Sequence, residues 1–191
     1  GTHSGAGDML VNESSDRYDA IVVGLGAMGS ATAWQLARRG ARVLGLEQFD
    51  IPHALGSSHG HTRMIRLAYH EHPDYGPLLV RALDAWRELE QQSGRTLFHQ
   101  VGGVYIGPPH AGVAIDALRS AQQHGLPHTM LDAERLATRF PALRVPSGWC
   151  GLFEPQAGAL LCEEILAAQC ELALLAGAVG RLLAFGGLQA A

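Results

Sequence analysis

The chain has 191 residues, a formal net charge of −4 and no basic run, so its electrostatics give no reason to expect a nucleic-acid partner. No apolar stretch approaches the ~20 residues that cross a bilayer; Leu172 to Ala191 comes nearest, and Gly177, Gly180, Arg181 and Gly186 interrupt it. All 14 basic residues are arginine, and the absence of lysine excludes a Schiff-base mechanism, a P-loop lysine and a pyridoxal-phosphate site.

Gly1 to Arg17 is polar and reads as a disordered leader or a cloning remnant. Ile21, Val22 and Val23 then form the β-branched run expected of a buried parallel strand. The glycine turn G-L-G-A-M-G follows, from Gly24 to Gly29. Gly24 permits the sharp turn, Gly26 lets a pyrophosphate approach the backbone, and Gly29 lets the next helix pack close to the strand. That helix is expected over Ala27 to Arg39, with its positive end towards the phosphates. Arg42 to Glu47 is the second strand. Glu47 lies 18 residues beyond Gly29, where a carboxylate accepts hydrogen bonds from ribose hydroxyls and repels a 2′-phosphate. The fingerprint alone fits NAD and FAD equally.

A Pro/His/Gly/Ser-rich loop leaves Glu47 and runs to about Gly60. Tyr75 to Gln92 is an amphipathic helix on the spacing of Leu78, Leu79, Ala82, Leu83, Trp86 and Leu89, with Gly94 behind it. Thr96 to His99 and Gly103 to Ile106 read as short strands joined by a tight turn at Val101-Gly102. A helix from His110 to His124, a strand at His128 to Leu131, and a short helix capped by Asp132 come next. Gly151 to Phe153 is a strand, and Leu160 to Ala176 an apolar helix ended by Gly177. Only two parallel strands are evident, where a doubly wound sheet needs more. Ala178 to Ala191 reads as an atypical tail, so the chain is expected to stop mid-domain. Cys150, Cys162 and Cys170 show no C-x-x-C spacing, which predicts a reduced, cytoplasmic setting.

Gly56 to Arg66 reads G-S-S-H-G-H-T-R-M-I-R. Arg63 and Arg66 lie among Met64, Ile65 and Leu67, so they are expected to be partly buried and to need anionic partners. His59 and His61 alternate, as do His70 and His72, but no third ligand with metal-site spacing accompanies them, and no metal is expected.

These residues carry a resemblance. E-Q-F-D-I-P-H at Glu47 to His53, the motif from Gly56 to Tyr69, the helix L-L-V-R-A-L-D-A-W-R-E-L-E and the turn V-G-G-V-Y-I-G resemble the monomeric sarcosine oxidase and N-methyltryptophan oxidase family. The resemblance covers roughly Tyr18 to Gly177. It implies an α/β fold with α+β character after residue 66: a glutathione-reductase-like FAD-binding Rossmann domain with part of an interleaved substrate domain, present as the N-terminal half only. The expected division is FAD domain over 18–80, substrate domain over 81–160, a helix returning to the FAD domain over 161–177, and the tail.

The implied activity is oxidation of a secondary amino acid, with hydride equivalents passing to the flavin and O2 reduced to H2O2. The implied cofactor contacts are Gly24, Gly26, Ala27, Met28, Gly29, Glu47, Gln48, Ser57, Ser58, Arg63 and Met64. His59, Arg63 and Arg66 are the implied catalytic group, with His59 and Arg63 beside the flavin ring and Arg66 on the substrate carboxylate. The family's second half carries a lysine that helps activate O2, a second basic substrate contact and a flavin-linking cysteine, none of which is in this chain. The fragment is therefore expected to turn over weakly or not at all. Two alternatives stay open: an NAD-dependent dehydrogenase, and a non-catalytic nucleotide-binding fragment.

Overall fold

A computed structural model describes residues 17–182 except 70, 73 and 111. The expected leader, apart from Arg17, and the tail beyond residue 182 lie outside the described residues, as does His70. Nine strands and five helices follow one another in these residues. They are β1 (Ala20–Val23), α1 (Ala27–Ala37), β2 (Val43–Glu47), β3 (Thr62–Ile65), α2 (Tyr75–Ser93), β4 (Phe98–His99), β5 (Gly103–Gly107), α3 (Val113–Gln123), β6 (Thr129–Asp132), α4 (Ala133–Arg139), β7 (Cys150–Glu154), β8 (Gly158–Leu161), α5 (Cys162–Leu175) and β9 (Val179–Leu182).

The strands form three sheets of three. The first is parallel, in the order β1-β2-β9. Its third strand corrects the expectation that only two exist. Gly180 sits mid-strand, which weakens the sequence signal for β9, and its pairing with Gly45 of β2 supplies what the local sequence lacks. The other two sheets are antiparallel, β3-β8-β4 and β5-β7-β6.

The expected turn between residues 96–99 and 103–106 exists, but the two strands do not pair. β4 joins β8 and β5 joins β7, so the chain changes sheet at Gly102. Gly102 donates its N–H to the Ala157 carbonyl at 2.9 Å, and a Cβ there would stand 2.5 Å from the Phe153 ring. β7 and β8 make the same change of sheet in the return direction. Strand β8 was also unexpected. Its G-A-L-L runs directly into the apolar α5, and a short apolar run cannot be told from a helix start by periodicity.

Two cores result. One joins Leu25, Ala33, Trp34, Ala37 and Val43 of the parallel unit to Leu89, Leu97, Phe98, Leu160, Ile165 and Ala168 from α2, the β3-β8-β4 sheet and α5. Helix α1 packs along α5, and between them Ser30 Oγ is bonded to Gln169 Oε1 at 2.8 Å, both side chains buried. The other core gathers Leu67, Ala68, Tyr105, Ala114, Ala117, Ala121 and Leu152 beneath α3. Among the described residues no helix is long and apolar enough to cross a membrane. The three cysteines are unpaired. Burial pushes the Cys170 thiol up to about 11, with Glu47 and Glu171 adding to the effect, so it is a poor source of thiolate.

Candidate functional site

The glycine turn is built by steric exclusion. Gly24 has φ of 85°, open to glycine at no cost, and its N–H bonds the Leu46 carbonyl at 2.7 Å. A Cβ on Gly29 would lie 1.7 Å from the Gly24 carbonyl oxygen, so only glycine lets α1 start this close to the end of β1. Ser30 holds the start of α1 by donating to the Gly26 carbonyl at 2.8 Å. The turn therefore aims the N-terminus of α1 at the carboxyl end of the parallel sheet, where open α/β sheets bind ligands.

Glu47 closes the turn from the side. Its buried carboxylate accepts the Leu25 N–H at 2.6 Å on Oε2, and the Gln48 and Phe49 N–H groups at 2.7 and 3.3 Å on Oε1. His53 Nε2 stands 3.6 Å from Oε1. Burial raises the proton affinity of this carboxyl, but the three backbone donors, with His53 adding a smaller pull, outweigh it, and Glu47 titrates below the ordinary Glu range. A carboxylate has roughly four acceptor directions. Three are taken by backbone, which leaves one on Oε2 for a ligand hydroxyl.

The Ser/His loop folds back over the same turn. Ser58 Oγ accepts the Ala27 N–H at 3.1 Å, an N-capping contact made from 31 residues away. Met28 and Gly29, also at the start of α1, have no hydrogen-bond partner for their N–H groups among the described residues. Gly26, Glu47, Phe49, His53, Ser58 and His59 line one cleft of about 220 Å³. His59 Nδ1 is bonded to the Gly56 carbonyl at 2.7 Å.

Arg63 departs from expectation. Its side chain is exposed, and its guanidinium donates to the carbonyls of Thr62, Ser57 and His59 at 2.9, 3.1 and 2.9 Å. No anion is needed to satisfy it here. Backbone carbonyls of a tight loop do so, and the arginine thereby braces the loop that carries Ser57 to His59. Met64 and Met28 are exposed, at 64% and 84%, and Gln48 reaches Glu47 only through its backbone.

Arg66 lies apart from this cleft. It is half-buried just past the end of β3, with its guanidinium 5.5 Å from the Tyr69 ring and 5.9 Å from the Tyr105 ring. It forms no salt bridge among the described residues. Beneath it is a group the sequence did not single out. Glu154, fully buried at the end of β7, accepts the Leu67 and Ala68 N–H groups at 2.7 and 3.2 Å and the Tyr105 hydroxyl at 3.0 Å. Burial, and then the Glu154 charge, push the Tyr105 hydroxyl far above its usual range, so it stays a donor. Glu154 thus fixes both the backbone that follows Arg66 and the aromatic ring it stacks on. No local motif marks such a residue, because its partners are 49 to 87 positions away.

A glycine turn, an acid at the end of the second parallel strand and a loop returned to the first helix's N-terminus define a dinucleotide-binding α/β protein. The chain belongs to the FAD dependent oxidoreductase family (DAO), whose pattern matches residues 19–181. It is 46% identical over 164 residues to the monomeric sarcosine oxidase of Streptomyces avermitilis, a match covering 86% of this chain and 43% of that protein. It is 40% identical over 161 residues to an N-methyl-L-tryptophan oxidase of Salmonella arizonae, covering 84% and 43%. Among solved structures it resembles NikD, described as an unusual amino acid oxidase essential for nikkomycin biosynthesis, with a TM-score of 0.76 and 33% identity over 86% of this chain and 43% of that one. The chain spans less than half the length of these relatives.

The residues present fit the family's cofactor, FAD. The free N–H groups at the start of α1, with the helix's positive end, suit a diphosphate. The open acceptor direction of Glu47 suits a ribose hydroxyl.

Proposed function

We propose that this chain supplies the nucleotide-holding half, and one substrate-facing arginine, of an FAD-dependent oxidase of secondary amino acids of the sarcosine or N-methyl amino acid type. The observation that carries the reading is the Ser58–Ala27 contact. It brings the glycine turn and the Ser/His loop, 31 residues apart, into one cleft with Glu47. A bare dinucleotide fingerprint does not require that loop.

In this reading Met28 and Gly29 offer N–H groups to the diphosphate, Glu47 takes a ribose hydroxyl, and Ser57 and Ser58 flank the phosphates. When bound, FAD is the hydride acceptor, and O2 reoxidises it with release of H2O2. His59 and Arg63 keep positive or hydrogen-bonding character beside the flavin. Arg66 presents a guanidinium, free of carboxylate partners among the described residues, to the carboxylate of an amino-acid substrate. The protein works in a reducing compartment such as the cytoplasm, where its three thiols stay unpaired. The chain alone turns over weakly or not at all, a reading supported by the match covering only 43% of the sarcosine oxidase relative's length.

Parallel titrations with FAD and NADH, read by flavin and nicotinamide fluorescence, test this. Saturable uptake of FAD with little response to NADH is expected. Tight NADH binding without flavin uptake would show a nicotinamide enzyme instead. Sarcosine-dependent peroxide from the purified chain would overturn the claim that it is inactive alone.

A further inference from the structure

Helices α1 and α2 both pack on α5 and leave a groove between them. Its volume is about 390 Å³, within the range of small-molecule sites. Alanines make the room. Ala31 of α1 and Ala82 and Ala85 of α2 set the walls back, while Trp34 and Trp86 supply two indoles. Trp34 is buried and Trp86 half-buried. Leu78, one turn before Ala82, lines the same groove and is 65% exposed.

The groove also carries polar groups that the fold does not satisfy. Gln169 of α5 lines it and is 3% exposed. One end of its carboxamide is bonded to Ser30 Oγ at 2.8 Å, and the other end has no hydrogen-bond partner among the described residues. A buried amide end without a partner is costly, and this one borders a space that a ligand can enter. Arg39 and Arg81 line the groove as well. Arg39 donates to the Gln35 carbonyl at 2.8 Å, and Arg81 comes only within 4.0 Å of Glu88, whose carboxylate Arg38 already holds. The Arg38 hydrogen bond most strongly, with the Arg81 and Arg39 charges adding, holds Glu88 below the ordinary Glu range. Three guanidiniums thus surround one acid, which leaves positive charge in excess. Asp84 is exposed on α2 and lies outside the lining.

We propose that the α1–α2 groove binds a small aromatic carboxylate, at a site separate from the dinucleotide cleft. The ring lies on Trp86 over the alanine-lined wall, the carboxylate meets Arg39 and Arg81, and the free end of Gln169 bonds a polar atom on the ring. An apolar groove with one free amide and surplus guanidinium suits an anion with a flat body better than a neutral ligand. The proposal stands without bound FAD and without the proposed substrate.

The test uses the full chain carrying Trp149→Phe, which leaves Trp34 and Trp86 as its indole emitters. The probe is 4-nitrobenzoate, an aromatic carboxylate that quenches indole fluorescence, with the uncharged 4-nitrobenzamide as control. Saturable quenching by the carboxylate, weakening as salt rises, is expected, with the amide binding about tenfold or more weaker. Arg39→Ala/Arg81→Ala should weaken carboxylate binding by roughly the same factor. Ala85→Phe, which fills the groove and leaves the charges in place, should abolish it. Arg66→Ala should leave it unchanged. Circular dichroism of each variant should match the parent. Absence of saturable quenching overturns the proposal. So does equal binding of the amide, indifference to the double variant and to Ala85→Phe in chains that remain folded, or loss of binding in Arg66→Ala instead.

Discussion

Glu47→Gln separates a structural account of the acid at the end of β2 from a merely compositional one. Glu47 is 7% exposed, and its carboxylate accepts one backbone N–H from within the glycine turn and two from the chain just after β2. A carboxamide has a single acceptor oxygen. If that oxygen stays with Gln48 and Phe49, the amide NH2 confronts the Leu25 N–H, donor against donor. If it turns over, two bonds are lost instead of one. Each arrangement forfeits at least one charge-assisted bond, about 1.5–3 kcal/mol, and strands a buried donor at about 1–3 kcal/mol. Allowing for partial relaxation, the expected loss is about 2–4 kcal/mol, or roughly 4–16 °C in melting temperature for a chain of this size.

Thermal and urea unfolding at pH 7 measure the effect. Its pH dependence adds a second check with a fixed sign. The folded pKa of Glu47 is lowered, so its contribution is fully present above the ordinary Glu value and is lost as pH falls through the depressed folded one. The gap between parent and variant should therefore hold from pH 7 to about 5 and shrink in more acid solution. A variant that melts within about 1 °C of the parent at pH 7 would refute the clamp, since a mere surface charge is worth only about 0–1 kcal/mol.

Gly29→Ala should cost roughly 3 kcal/mol or more in urea unfolding, because the new methyl would fall 1.7 Å from the Gly24 carbonyl oxygen, a backbone atom that has no rotamer to escape by; an unchanged midpoint would contradict the packing described. Glu154→Ala strands three buried donors and should destabilise by about 3–5 kcal/mol, whereas Tyr105→Phe removes one of them and should cost about 1 kcal/mol. Equal effects from the two variants would show that the carboxylate is not the hub.

Much of the site was legible because its determinants are local. The spacing of Gly24, Gly26 and Gly29, the β-branched run before them and the acid at Glu47 are read within 30 residues, and the structure assembles them as one turn. The Ser/His loop was legible as chemistry but not as geometry. Arg63 sits in a sequence context that suggested burial and an anionic partner, yet carbonyls of its own loop satisfy it in the open.

What stayed hidden depends on distant partners. Glu154 looks like any strand-end acid until β5, β7 and the segment after Arg66 converge on it. The Ser30–Gln169 bond joins residues 139 apart. β9 is a poor strand by composition and forms because β2 presents a matching edge. The change of sheet at Gly102 was invisible for a related reason. Two short strands with a tight turn have the pattern of a hairpin, and only the collision a side chain would make with Phe153 shows why the chain turns elsewhere.

In the proposed function the glycine turn and the Ser/His loop share one ligand, FAD. Amide hydrogen exchange of the purified chain, with and without FAD, tests this most directly. Slowed exchange is expected in peptides covering Gly24–Ser30 and Gln48–His59 together, with α3 and α4 unaffected. Protection of the glycine turn without the Ser/His loop, or of neither, would contradict it.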